Sequence, residues 1–202
     1  MPHVAIDSTT GRLATAAGVT ALAADAAFVV FSAGVEPFGP INDVGNAIAG
    51  VLAGCVAWRL RHRAGGPATG LAIAGATVGV IGSWLVVSRT TGWLLAGFVS
   101  ASGFALIGPS VALAARRLGA EGVLAPRLAR FGEVTGWIMT LGVTAFAPVA
   151  LRVDDASSAP FWAWLTFSGM VGAFVLYPVW AVMLGRQARR PASAAVGEAS
   201  GA

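Results

Sequence analysis

The chain has 202 residues, of which 56% are hydrophobic and only 11% charged, and its mean hydropathy is +0.77. Soluble domains carry about 25% charged residues, so no water-facing surface can be assembled from this composition. The net charge of +4 rests on 13 arginines with no lysine, which excludes Schiff-base chemistry and a phosphate-loop lysine.

The remaining chemical inventory is poor. His3 lies near the N-terminus and His62 in an arginine-rich turn, both outside the apolar runs, so a bis-histidine haem within the membrane is not available. No HExxH pattern occurs, and the lone Cys55 allows neither an internal disulfide nor CxxC redox chemistry. The expectation is a protein that is not an enzyme and carries no cofactor or metal. The basic balance does not point to nucleic acid, because the arginines sit at the ends of apolar runs and form no aromatic-studded basic surface.

About 20 apolar residues are needed to cross the hydrocarbon layer as a helix. In chain order the stretches that qualify are 13–33, 41–58, 68–88, 92–115, 134–151 and 161–184. The fold class expected is an all-α membrane protein, a bundle of six transmembrane helices. Residues 1–12 form a short lead and 185–202 a small, polar, disordered tail. The first stretch is too long for a signal-peptide core and no small-x-small cleavage pattern follows it, so it is expected to stay in place.

Arginine placement sets the orientation. Arg12, Arg59, Arg61, Arg63, Arg116, Arg117, Arg127, Arg130, Arg186, Arg189 and Arg190 fall on one side, and only Arg89 and Arg152 on the other. The positive-inside rule puts the first side, with both termini, in the cytoplasm. Tryptophans follow the same ends: Trp58, Trp137 and Trp180 at inner ends, Trp84, Trp93, Trp162 and Trp164 at outer ends. Arginine without lysine, and abundant alanine and glycine, point to a GC-rich bacterial genome and a multi-pass protein of the inner (cytoplasmic) membrane.

In the longest inner connection, 116–133, Leu124, Leu128 and Phe131 recur at helical spacing beside Arg127 and Arg130. This reads either as a short helix lying on the inner leaflet or as an ordinary basic loop. Glu133 opens the fifth stretch, where a carboxylate meets the positive end of the helix dipole. The 27 glycines include Gly50–Gly54, Gly75–Gly79 and Gly132–Gly136 at GxxxG spacing, the mark of close helix packing and of a homodimer face. Pro109, Pro148 and Pro178 free the carbonyls of Ala105, Thr144 and Phe174 and should kink the last three spans.

Asp25 is the residue that stands out, 12 residues into the first apolar stretch with Ala-Ala on either side. A carboxyl at that depth must face the bundle and find a partner. Gly18, Ala21, Asp25 and Ser32 share one helix face. At comparable depth lie Ser102, Thr144 and Ser168, with Asn46 somewhat nearer the outside. Asp25 either handles a proton or cation or is a structural aspartate bonded to hydroxyls. Glu36, Asn42 and Asp43 in the first outer turn form a candidate mouth, although Asn42 or Asp43 also fits as the cap of the second span. Asp154 and Asp155 read as solvated loop residues.

Two functions follow as expectations. The first is a non-catalytic accessory or structural subunit that packs against itself or a membrane partner within the lipid bilayer. The alternative is a small permease or channel for a proton, cation or small solute that uses Asp25.

Overall fold

The computed structural model describes residues 6–155, 157 and 160–189, and all regular structure in them is helical. Six helices are long and apolar enough to cross a membrane: Ser8–Ser32, Phe38–Arg59, Gly66–Val87, Trp93–Ala120, Pro126–Ala150 and Leu165–Ala188. They are spans one to six. The all-helical, six-span reading therefore holds, with ends that differ by a few residues at most spans and by eight at the start of the fifth. The last helix continues to Ala188, past the expected start of the tail at 185, and the rest of that tail from 190 on lies outside the described residues. His3 and Arg190 lie outside the described residues, as does the Trp162 side chain.

Local chemistry explains the helix ends. The Asp7 carboxylate caps the first span by accepting the Thr10 N–H at 3.0 Å. Gly65, with φ of 86°, separates the short turn Arg61–Ala64 from the third span, which carries Pro67 in its first turn. Four helix ends close with a left-handed residue and the paired hydrogen bonds of a Schellman motif. Two use Gly34 and Gly122. The other two use arginines, Arg89 and Arg152, each with φ of 54°. The Arg89 and Thr90 N–H groups reach the Val86 and Leu85 carbonyls, and those of Arg152 and Val153 reach Val149 and Pro148.

Spans adjacent in sequence pack side by side, and the sixth returns against the first. The fourth span is the hub, with 72% of its most apolar stretch buried against 28–44% for the others. Glycine makes the close crossings possible. A Cβ on Gly103 would meet Gly79 N at 2.5 Å, one on Gly108 would meet Gly136 O at 2.5 Å, and one on Gly169 would strike the Gly142 backbone. Gly11 and Gly18 do the same for the first span against Ala188 and Pro178, so both described chain ends lie at one end of the bundle. Arg189 confirms the juxtaposition by donating to Thr15 Oγ1 at 3.0 Å.

Several expectations need correction. The 116–133 segment is neither an interfacial helix nor a loop: the fourth span runs to Ala120 and the fifth begins at Pro126. Leu124, in the turn before the fifth span, and Leu128 are buried in the core, and Phe131 packs against it, so Leu128 and Phe131 mark the side of the fifth span that meets the bundle. Glu133 accordingly lies eighth in its helix and does not meet the dipole at its start. All three GxxxG pairs pack inside the bundle: Gly50 and Gly54 face Phe104 and Ala76, while Gly75 and Gly136 lie against the fourth span. They supply no homodimer face. Trp180 is no interfacial indole but is 1% exposed, packed against Gly132. Trp137 stands on the exposed face 11 residues into its helix, well away from the arginine-rich end.

The prolines act differently from one another. Pro109 sits in an unbroken α-helix. Before Pro148 the chain tightens into a 3₁₀ segment, Leu141–Ala145, and before Pro178 it widens into a π turn, Gly172–Leu176. Both are ways to accommodate a residue that lacks an N–H and crowds the carbonyl of the preceding turn.

Candidate functional site

The first two spans approach closely where Gly45 meets Ala24; a Cβ on Gly45 would lie 2.8 Å from that of Ala24. The next residue on each helix is polar, Asp25 on one and Asn46 on the other. Counting 1.5 Å per residue, Asp25 lies about 10 Å below the end of its helix at Ser32 and Asn46 about 12 Å below the start of its own at Phe38. The two are level. Both residues are half-buried, and in each one side-chain oxygen, Asp25 Oδ2 and Asn46 Oδ1, is shielded and has no hydrogen-bond partner among the described residues.

The remaining polar groups of the second span turn away from this pair. Asn46 Nδ2 donates to Asn42 Oδ1 at 3.0 Å, and Asn42 Nδ2 donates to Asp43 Oδ1 at 3.3 Å. The donors therefore run along the second span towards its end, and acceptors are left beside the first span. Asn42 and Asp43 are not caps: the helix starts at Phe38 with Pro37 at its N-cap and no side-chain cap. They stand in its second turn, half-buried. Glu36 is exposed in the connecting turn, where its carbonyl accepts the Gly39 N–H at 3.3 Å.

The other residues expected at this depth are occupied elsewhere. Ser102 is buried, but its hydroxyl donates to the Phe98 carbonyl of its own helix at 2.8 Å. Thr144 donates to the Leu141 carbonyl at 3.0 Å and lies 3.0 Å from the hydroxyl of Thr166, which thus links spans five and six. Ser168 is exposed. Thr166 was not foreseen, because one threonine among aromatic neighbours gives no sign of which way it faces. Asp154 is exposed in the connection, as expected of a solvated loop residue, and also accepts the backbone N–H groups of Gly92 and Leu95, which caps the fourth span.

Further towards the arginine-rich end, Ser110, Tyr177 and Trp180 join apolar side chains of spans two and four around a cavity of about 10 Å³, room for about one water. Thr135 Oγ1 and Trp180 Nε1 are buried without hydrogen-bond partners among the described residues. No group of three or more His, Cys, Asp or Glu able to hold a metal ion occurs among them either.

Fold and site together define a multi-span helical membrane protein with an acceptor-rich polar site between its first two spans. No known family matches the chain, and no curated protein or solved structure shows significant similarity to it.

Proposed function

We propose that the chain is a small transport protein in which Asp25, with Asn46, binds a proton or a monovalent cation. The observation that supports this is the pair of shielded, unpartnered oxygens on adjoining helices. In hydrocarbon an unmet polar group costs several kcal/mol, and two acceptors cannot satisfy each other. One added proton answers both, because a protonated Asp25 carboxyl is a donor and the Asn46 carbonyl an acceptor. A monovalent cation does the same by drawing on both oxygens. Either cargo gives the site a loaded and an unloaded state, which is what coupling to a conformational change requires.

The bends in spans five and six support a moving part. The π turn Gly172–Leu176 touches the first span and precedes Pro178, and interrupted helices of this kind line sites in transporters. The accessory-subunit reading keeps the poor chemical inventory as its support, but the glycine faces it relied on pack inside the chain. In this proposal the arginine-rich end, with both termini, faces the cytoplasm of a bacterial cell and the protein performs no catalysis.

The test uses the full chain in liposomes, with proton and sodium fluxes followed by internal dyes. Wild type should dissipate one of the two gradients. Asp25→Asn should abolish that flux without changing the elution profile or thermal stability, and Asn46→Ala should weaken it. Wild-type liposomes that pass neither ion, or an Asp25→Asn variant that passes it as wild type does, would overturn the proposal.

A further inference from the structure

We infer that Phe104 and Phe174 form a gate that closes the Asp25–Asn46 site off from the arginine-rich end of the bundle. The gate rests on Asp25 as the binding residue and adds what holds the cargo there.

The two rings are in contact. Their centroids lie 5.4 Å apart with planes at 67°, an edge-to-face pair. Phe104 is 3% exposed and belongs to the core, and Phe174 packs against it. The Phe104 ring also reaches the second span, since a Cβ on Gly50 would lie 3.9 Å from its Cζ. Gly50, Phe104 and Phe174 thus make one apolar layer across spans two, four and six.

Residue order puts this layer between the site and the arginine-rich end, towards which all three spans run. On span two Asn46 comes first, Gly50 follows one turn or about 6 Å nearer that end, and Ala53 and Ala57 come after it. On span four Phe104 is followed by Ser110 and Ala114, and on span six Phe174 is followed by Tyr177 and Trp180. These six later residues all line the small cavity between the three spans. The sequence of ring layer and then cavity is therefore the same on each span. Asp25 falls on the far side of the layer by a separate count. It stands two turns, about 10 Å, beyond Gly18, which meets Pro178, whereas Phe174 is about 6 Å beyond Pro178.

The side chains of the layer offer no hydrogen-bonding group. A cation, or a proton carried by water, is strongly disfavoured between two phenyl rings in contact, because nothing there replaces its hydration. The pair can part because its halves differ. Phe104 stands in an unbroken α-helix and Phe174 in the π turn Gly172–Leu176. A π turn holds an extra residue, and tightening it to α swings Phe174 about the axis of its helix while Phe104 stays in place. That movement joins the site to the cavity, which has room for about one water.

The test is flux through liposomes holding the full chain, under the proton or sodium gradient that wild type dissipates. Phe174→Ala should raise the flux at least about five-fold at equal protein content, although losing a packed ring lowers the melting temperature. A merely structural ring would lower the flux or leave it unchanged. Phe174→Leu keeps most of the apolar volume, gives the same test if alanine fails to fold, and should raise the flux by a smaller factor. Asp25→Asn in the Phe174→Ala chain should abolish the flux again, because the cargo still loads at the site. Flux that survives in this double variant is a leak past the site and overturns the gate. A wild type that conducts through Asp25 while neither Phe174 variant conducts faster overturns the gate and leaves the binding site standing. Silence of wild type and both variants overturns the two together.

Discussion

Asp154 Oδ2 accepts the Gly92 N–H at 2.7 Å while its Oδ1 accepts that of Leu95 at 3.2 Å, across 62 and 59 positions of sequence. A residue in the connection between spans five and six therefore supplies the N-terminal cap of span four, the hub of the bundle. Span four has no cap of its own, since Gly92 precedes Trp93. Asp154→Ala should destabilise the protein by about 1 kcal/mol, the usual worth of such a cap, and lower its melting temperature in detergent. Asp155→Ala removes the bonds to Ser157 in its own turn but leaves both Asp154 bonds to span four in place, and should lower the melting temperature less than Asp154→Ala does. If the two variants melt alike, the cap contributes nothing.

Asp7 does comparable work at the other end of the bundle and adds a pH dependence. Its carboxylate takes the Thr10 hydroxyl at 2.6 Å, the Thr10 N–H at 3.0 Å and a nitrogen of Arg59 at 3.0 Å. The Thr10 hydroxyl above all, with the Thr10 N–H and Arg59, holds its carboxyl at about 2, below the ordinary 3.8, against the opposing effect of burial. A carboxyl depressed on folding stabilises fully above its unfolded value and loses that contribution as the pH falls towards the folded one. Wild type should therefore lose stability between about pH 4 and pH 2. Asp7→Ala should melt lower at pH 7 by an amount corresponding to about 1 kcal/mol and lack this step. The Arg59 pair is exposed and adds little of its own. Equal acid sensitivity in wild type and variant would refute the assignment.

Much of the bundle was readable because a membrane span is a matter of length and composition. The stretch 41–58 became Phe38–Arg59 and 68–88 became Gly66–Val87 for that reason. Packing was far less readable. In a span whose whole circumference is apolar, the hydrophobic pattern does not say which face meets lipid and which meets another helix. Trp180 and Trp137 show the difficulty: both stand well inside their spans, yet the first is buried and the second exposed. Asp25 and Asn46 were legible because a carboxyl or an amide at that depth is rare and needs a reason. That they stand at one level on adjoining spans was not, since it depends on Gly45 meeting Ala24 across two helices.

Arg89 and Arg152 look in sequence like stray charges at the wrong end. Their position at left-handed helix ends, both with φ of 54°, gives them a structural setting: a cation there faces the negative end of the helix dipole. The backbone strain of a side chain in that region is about 1–2 kcal/mol. Glycine removes it but loses the charge interaction and loosens the unfolded chain. These terms nearly cancel, so Arg152→Gly should change stability by less than about 1 kcal/mol, seen as a nearly unchanged melting temperature. A larger loss of stability would mean that the charge outweighs the strain.

Thr135 and Thr166 should respond in opposite directions to the same substitution. Both are fully buried, in spans five and six. Thr166 shares a 3.0 Å hydrogen bond with Thr144, whereas Thr135 Oγ1 has no partner among the described residues. Valine keeps the shape and β-branching of threonine and replaces the hydroxyl by a methyl group. At position 166 that should cost about 1 kcal/mol, the net worth of one hydrogen bond plus the exposure of its partner's lone pair. At position 135 it removes a desolvated hydroxyl, whose burial carries a penalty of about 1–3 kcal/mol, so Thr135→Val should raise the melting temperature. If Thr135→Val is destabilising, a water or a neighbouring group must satisfy that hydroxyl in the membrane.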